Sequence, residues 1–334
     1  MHLLVIGGTR FIGRHVVQQA LDRGHRVTVF HRGRTGTELY AGDGRVTRIT
    51  GDRDVDLSAL ADGQWDGTVD TCAYVPRQVQ ALADVLGERG GRHLLVSSVS
   101  AYAPPSSPGY DEDSPLAELD DPTVEEVTET TYGGLKVLCE RAAVERYGPG
   151  TVIVRPTYVV GPDDYTWRFP WWVTRLARGG EVLAPGPGDD PAQVIDVRDM
   201  AAWMVGLLED GHSGAFHAVS PAPPFTWRDE LEAVRDAVAP DGTSLTWVSS
   251  EFLRKAGVDE SALPLWSADD PAPLMMAADP GRATATGLRP RPLADTVRDT
   301  LAWAQSVPPP DSVAAERLTA DREAELLTAW HRRR

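Results

Sequence analysis

The chain has 334 residues, 42% hydrophobic and 25% charged, enough apolar material for one large α/β domain or two coupled ones. Its formal charge of −16 argues against nucleic acid or an anionic membrane as main partner, since both need a basic surface. Cys72 and Cys139 stand far apart with no CxxC and no Cys/His cluster, so neither a disulfide framework nor a metal site is expected.

The opening apolar run, His2–Ile6, is too short for the hydrophobic region of a signal peptide, and no stretch reaches membrane-span length. The default location is therefore cytoplasmic. An excess of Arg, Ala and Asp over Lys suggests a GC-rich bacterial genome.

In chain order, strands are predicted over Leu3–Ile6, Val27–Phe30, Val46–Ile49, Thr68–Thr71, His93–Ser97 and Val152–Arg155. Apolar positions at helical spacing predict helices over Arg10–Arg23, Arg77–Arg89 and Glu129–Tyr147. Short, fully apolar strands alternating with helices require a parallel sheet covered on both faces, which is a doubly wound α/β (Rossmann) fold. Nine acidic residues and no basic one fill Asp111–Glu129, read as a surface loop. From Gly161 the texture changes, with Pro and Trp multiplying, and a smaller cap is expected. The expected division is residues 1–162 and 192–221 for the sheet domain, and 163–191 with 222–334 for the cap and a charged C-terminal helix. Val194–Glu209 and Phe216–Val219 are expected to return to the sheet, and the chain ends in a basic tail, His331–Arg334.

Gly7-Gly-Thr-Arg-Phe-Ile-Gly13 falls where the first strand turns into the first helix, so free N–H groups and the positive end of the helix dipole face an anion there. Gly7 would make the tight turn and Gly13 would allow close helix–strand packing, while Arg10 replaces a glycine of the GxxGxxG pattern. Gly7, Thr9, Arg10, Phe11, Ile12 and Gly13 are accordingly candidate dinucleotide contacts. An acidic residue commonly follows the second strand to bind ribose hydroxyls. Here the run is Phe30-His31-Arg32-Gly33-Arg34, with no carboxylate and with groups suited to a 2′-phosphate, to which Arg10 could add another. NADP is therefore expected over NAD.

After the fifth strand, Ser97-Ser-Val-Ser-Ala-Tyr102 places hydroxyls at the carboxyl edge of the sheet. Tyr132-Gly-Gly-Leu-Lys136 contains one of only two lysines in the chain, and its i,i+4 spacing puts phenol and ammonium on one helix face. A nearby cation favours phenolate, as an acid/base group working near neutral pH requires. Gly133 and Gly134 weaken the helix by up to about 1 kcal/mol each. Close approach of cofactor or substrate would explain them, with a flexible helix start as the competing reading.

At this point the chain resembles the short-chain dehydrogenase/reductase superfamily, in its extended NAD-dependent epimerase/dehydratase branch. The resemblance covers roughly residues 2–220. It rests on Gly7–Gly13, on Ser98 four residues before Tyr102, on Tyr132-x3-Lys136 followed by Glu140, and on Arg155-Pro-Thr-Tyr-Val-Val-Gly-Pro162. The Gly-Gly-Thr-Arg-Phe-Ile-Gly form is similar to that of an atypical subgroup that includes chloroplast stem-loop RNA-binding proteins. The resemblance implies a triad in which Ser98 holds the substrate oxygen, Tyr132 exchanges its proton and Lys136 bonds the nicotinamide ribose. It also implies Asp52 beside the adenine, Ala73 near the pyrophosphate and Pro156 near the nicotinamide. Cys139 and Glu140 read as structural.

In the cap, the aromatic run Arg168-Phe-Pro-Trp-Trp172 with Arg175 and Arg178 would either floor a substrate pocket or form the cap's core. Asp196 or Asp199 would cap the helix that follows Ile195. The leading expectation is an NADP(H)-dependent oxidoreductase acting on a small-molecule carbonyl or alcohol, in secondary metabolism. A nucleotide-sugar epimerase or dehydratase with a retained cofactor is the alternative, disfavoured by the acidic cap. A non-catalytic cofactor sensor or RNA-binding relative is the third. The expected partner is a small molecule, not nucleic acid or membrane, and the oligomer, a homodimer among the options, is left open.

Overall fold

The computed structural model describes residues 1–222, 224–269 and 273–333. Arg334, at the end of the basic tail, and four residues of the expected cap (223 and 270–272) lie outside them.

Seven parallel strands form the central sheet: β1 (His2–Ile6), β2 (Arg26–His31), β3 (Val46–Thr50), β4 (Gly67–Asp70), β5 (Arg92–Val96), β6 (Val152–Pro156) and, after three intervening strands, β10 (Gly214–Ala218). The spatial order is β10-β6-β5-β4-β1-β2-β3, so the winding direction reverses between β1 and β4. The predicted strands all form, each within a residue or so of its expected limits. The apolar runs arise because both faces are covered. Leu3 and Val5 of β1 pack against α1 (Phe11–Asp22) and α5 (Val197–Glu209). Leu4 and Ile6 of β1 point the other way, toward Leu82 and Leu86 of α2 (Pro76–Leu86). α3 (Tyr132–Tyr147) lies beside α2 and buries Leu135, Val137, Cys139 and Ala143.

The segment 192–221 divides its allegiance. Phe216–Val219 was expected to rejoin the sheet, and β10 does so beside β6. β9 (Val194–Asp196) instead pairs with β7 (Tyr158–Val160) in a separate two-stranded ribbon. Asp196 caps α5, accepting a hydrogen bond from the Arg198 N–H at 2.8 Å; Asp199 is taken by Arg291 instead. A second core gathers α4 (Arg168–Ala177), β8 (Glu181–Pro185), α6 (Trp227–Val238), β11 (Ser244–Val248) and α7 (Ser250–Lys255). α8 (Gly281–Ala285) packs on β10, and α9 (Leu293–Ser306) lies against α4 and α6. α10 (Asp311–Glu316) and α11 (Ala320–His331) follow, and a buried ion pair between Arg175 and Glu323, 2.6 Å, fastens α11 to α4.

This second core settles the aromatic run. Phe169 and Trp172 are fully buried within it, Trp172 donating to the Pro264 carbonyl at 2.5 Å, so they are cap core and not a pocket floor. No helix among the described residues is long and apolar enough to cross a membrane.

Candidate active site

The sheet's reversal between β1 and β4 opens a crevice at their carboxyl ends, where ligands of such folds bind. A cavity of about 480 Å³ occupies it, lined by residues that follow β1, β2, β3 and β4. Gly7 has a φ of +90°, and a Cβ on it would stand 2.7 Å from the Thr71 hydroxyl. A Cβ on Gly13 would stand 2.2 Å from the Gly7 carbonyl oxygen, so only glycine lets α1 start this close to β1. Arg10, the N-cap of α1, offers no side-chain cap, and the helix's first hydrogen bond runs from Arg14 N–H to the Arg10 carbonyl. The N–H groups of Phe11, Ile12 and Gly13 therefore face the cavity without helical partners. That cradle fits the diphosphate of a dinucleotide.

Of the expected cofactor contacts, Gly7, Thr9, Arg10, Phe11, Ile12, Gly13, His31, Arg32, Arg34 and Asp52 all line this cavity. Ala73, Lys136 and Pro156 do not. Ala73 packs in the core between α2 and α3, and Pro156 lies in β6, buried. Burial, then the Arg48 charge, lowers the His31 pKa, and its Nδ1 accepts from the Gly33 N–H at 3.1 Å. His31 is thus a neutral donor at pH 7, leaving Arg32 and Arg34 as the charges after β2. Arg34 reaches Asp52 at only 3.9 Å, and Arg32 makes no ion pair among the described residues. Tyr74 and Tyr165 also line the cavity and were not expected there. Neither carries a sequence signal, because loops remote in the chain bring them in.

Lys136 is buried, and its ammonium donates to the carbonyls of Ala73 (2.9 Å), just past β4, and Val96 (2.7 Å), the last residue of β5. An ammonium has three donors, so one remains for a ligand. It lies 5.7 Å from the centre of the Tyr74 ring. Tyr132, one turn earlier, opens on a separate cleft of about 630 Å³ with Ser100, Tyr102, Thr128, Glu118, Glu129 and Met275. Ser98 does not line that cleft; it caps the short turn Val99–Ala101, accepting from the Ser100 N–H and donating to the Ser100 hydroxyl, both at 3.1 Å. The three triad candidates thus share one end of the sheet, with no hydrogen bond joining them among the described residues.

Gly133 and Gly134 have a different cause from the one expected. A Cβ on Gly133 would lie 2.1 Å from the Ser100 carbonyl oxygen, and one on Gly134 2.4 Å from Leu119 Cγ. Protein atoms, not ligand, claim that space.

Beneath the cleft runs a buried polar chain. Ser97 donates to Glu140, Glu140 accepts two bonds from Arg155 (3.0 and 2.7 Å), and Arg155 donates to the Tyr102 hydroxyl at 2.5 Å. Tyr102 meets His217 Nε2 at 2.6 Å, and Glu112 accepts from the His217 N–H at 2.9 Å. The acidic loop is therefore not all surface. Glu112 is 7% exposed and is held by Arg282 at 3.4 Å.

The model of the NAD-dependent epimerase/dehydratase family matches residues 3–218. The chloroplast stem-loop binding protein of 41 kDa b from Arabidopsis thaliana is 24% identical over 219 residues, 62% of this chain but only 54% of that protein. The epimerase family protein SDR39U1 of Bos taurus is 28% identical over 252 residues, 71% of this chain and 81% of that one. The crystal structure of UDP-glucuronic acid 4-epimerase from Bacillus cereus in complex with NAD superposes with a TM-score of 0.66 at 16% identity, covering 92% of this chain and 99% of that one, a likeness of fold.

Proposed function

The chain belongs to the NAD-dependent epimerase/dehydratase family, enzymes that work with a nicotinamide dinucleotide, and we propose that this member is an NADP(H)-dependent oxidoreductase acting on a small carbonyl or alcohol. The observation that carries the reading is the pairing of two features at one end of the sheet. A cavity with a diphosphate cradle and unpaired Arg32 adjoins a buried ammonium with one donor to spare. The cofactor, when bound, supplies or accepts hydride. Everything else is done by the chain's own groups. The α1 N-terminus and its N–H groups hold the diphosphate, and Arg32 with Arg34 takes the 2′-phosphate by forked, charge-assisted hydrogen bonds. Lys136 is immobilised by two carbonyls, so its third N–H has a fixed direction for a ribose hydroxyl. Tyr132, facing the open cleft, gives its phenolic proton to the oxygen on which charge builds, or takes it in the reverse direction. Ser98 and Ser100 supply hydroxyls at the same edge.

The cleft at Tyr132 has Glu118 and Glu129 on its walls and no Arg or Lys among the described residues. A nucleotide-sugar diphosphate would find no cation there, which favours a substrate without phosphate. The competing reading, an epimerase or dehydratase that keeps its cofactor, is supported by the family and by the epimerase-family relative. Net NADPH consumption with a carbonyl substrate supports the reductase; turnover with retained cofactor would replace it by the epimerase. The stem-loop-binding relative raises RNA binding as a third role, against which the charge of −16 stands. If Tyr132→Phe left every measured activity intact, the enzymatic role of this tyrosine would fall. Arg32→Ala should weaken NADPH binding about tenfold with NADH little changed, and equal losses would sink the NADP preference.

A further inference from the structure

Arg10 stands where the glycine pattern leaves open space above the turn, and the structure shows where its side chain goes. The guanidinium carbon sits 3.4 Å from the centre of the Tyr165 ring. Tyr165 in turn meets Phe11 edge-on at 6.4 Å. Both Arg10 and Tyr165 line the dinucleotide cavity. Tyr165 arrives from the segment between β7 and α4, which is bent by positive φ at Gly161 (125°), Asp163 (70°) and Trp167 (54°). Asp163 ties that bend to α1, accepting from Arg14 at 2.6 Å and meeting His15 at 3.1 Å. The Tyr165 ring is thus presented by a fixed loop, and Arg10 rests on it.

Stacking uses the flat face of a guanidinium and leaves its N–H edges free. The Arg10 side chain makes no hydrogen bond or ion pair among the described residues, so its donors are available to a ligand. Burial pushes the Tyr74 phenol up to about 12, and Tyr165, Tyr132 and Arg10 are among the groups close enough to act on it. Lys136 approaches the same ring. Arg10 thus stands near Tyr74, the ring that Lys136 approaches, whereas Arg32 and Arg34 follow the end of β2.

We propose that Arg10 and Tyr165 form one clamp over the diphosphate of the bound dinucleotide, the part common to NAD and NADP, and that Arg10 does not serve the 2′-phosphate. The proposal rests on the reading that this cavity holds a dinucleotide. The α1 N–H groups take one side of the diphosphate and the Arg10 fork takes the other, with Tyr165 fixing the fork's plane.

The test is a fluorescence or calorimetric titration of the full chain with NADPH, NADH and adenosine 2′-monophosphate, which has the 2′-phosphate but no phosphate at the diphosphate position. Wild type, Arg10→Gly, Tyr165→Leu and the double variant are compared. Both residues are exposed at the cavity rim, Tyr165 to 40%, and unchanged thermal midpoints verify that each variant folds. Arg10→Gly should raise Kd for NADPH and NADH alike by about tenfold and leave adenosine 2′-monophosphate unmoved. Tyr165→Leu should raise both by about threefold, and the double variant should match Arg10→Gly alone, because the pair acts as a unit. Losses confined to NADPH and adenosine 2′-monophosphate would place Arg10 on the 2′-phosphate and overturn the clamp. Additive losses, or none, would also overturn it while leaving the dinucleotide reading intact. A wild-type protein that binds neither NADPH nor NADH would remove that reading and the clamp together.

Discussion

Replacing Gly133 by alanine separates packing from ligand approach as the reason for the glycine pair in α3. On an exposed helix the change should stabilise by about 1 kcal/mol, because glycine is the poorer helix former. Here the added methyl would lie 2.1 Å from the Ser100 carbonyl oxygen, where ordinary contact begins at 3.4 Å. That neighbour is backbone, held in the turn Val99–Ala101, and cannot swing aside as a side-chain tip could. Forced overpacking of this kind costs about 1–3 kcal/mol and here exceeds the propensity gain. The expected outcome is a net loss of about 1–2 kcal/mol, read as a lower urea midpoint at unchanged slope in protein free of cofactor. Packing is not the cause of the glycine if Gly133→Ala makes the cofactor-free protein more stable and weakens only ligand binding.

Three further outcomes follow from buried charge. His93 is buried with neither ring nitrogen hydrogen-bonded, near Asp70 and Arg53, and burial lowers its pKa from 6.5 to about 4. The unfolded chain therefore binds the extra proton between those values, and stability should fall as pH drops from 6.5 toward 4 by on the order of 3 kcal/mol; His93→Phe, which can keep the stack on Tyr147, should flatten that slope, and an unchanged slope would clear His93. Glu230 has the opposite sign: buried without an acid or base partner among the described residues, its pKa rises from 4.5 to about 8, so its contribution is lost as pH rises across that window. Glu230→Gln should stabilise the protein at pH 8 and do little at pH 5, and equal effects at both would refute the burial argument. Glu140→Gln leaves Arg155 buried without its counter-charge and should cost about 3–5 kcal/mol in thermal or urea unfolding, whereas a loss under 1 kcal/mol would mean the polar chain under the cleft is not structural.

The central strands were legible because they are buried on both faces, which leaves an uninterrupted apolar signal such as Leu3–Ile6, whereas the edge strand β3 is half-buried to exposed throughout. The glycine turn was legible because its chemistry is local. β7 and β9, three residues each, are too short for any period to show. The cap's helices were hidden by Trp and Pro, whose packing depends on partners far along the chain, as Trp172 on Pro264 does. The site divided along the same line. Residues on the turns after β1 and β2 could be named in advance, but Tyr74 and Tyr165 reach the cavity only through topology. Glu112 could not be told from its eight acidic neighbours, because what buries it is His217, 105 residues away. The glycines of α3 were visible, and their cause was not, since Leu119 and Ser100 are brought against them by loops.

The Arg175–Glu323 pair has a consequence for how the protein is made. The two partners are 148 residues apart, and Arg175 also donates to the carbonyls of Gly179 and Glu181. During synthesis a cationic side chain destined for a dry interior must wait, hydrated, until residue 323 has left the ribosome. The dinucleotide crevice depends far less on late sequence, because its lining residues apart from Tyr165 lie before residue 80. The nascent chain can therefore acquire a cofactor-binding half well before its cap is able to close.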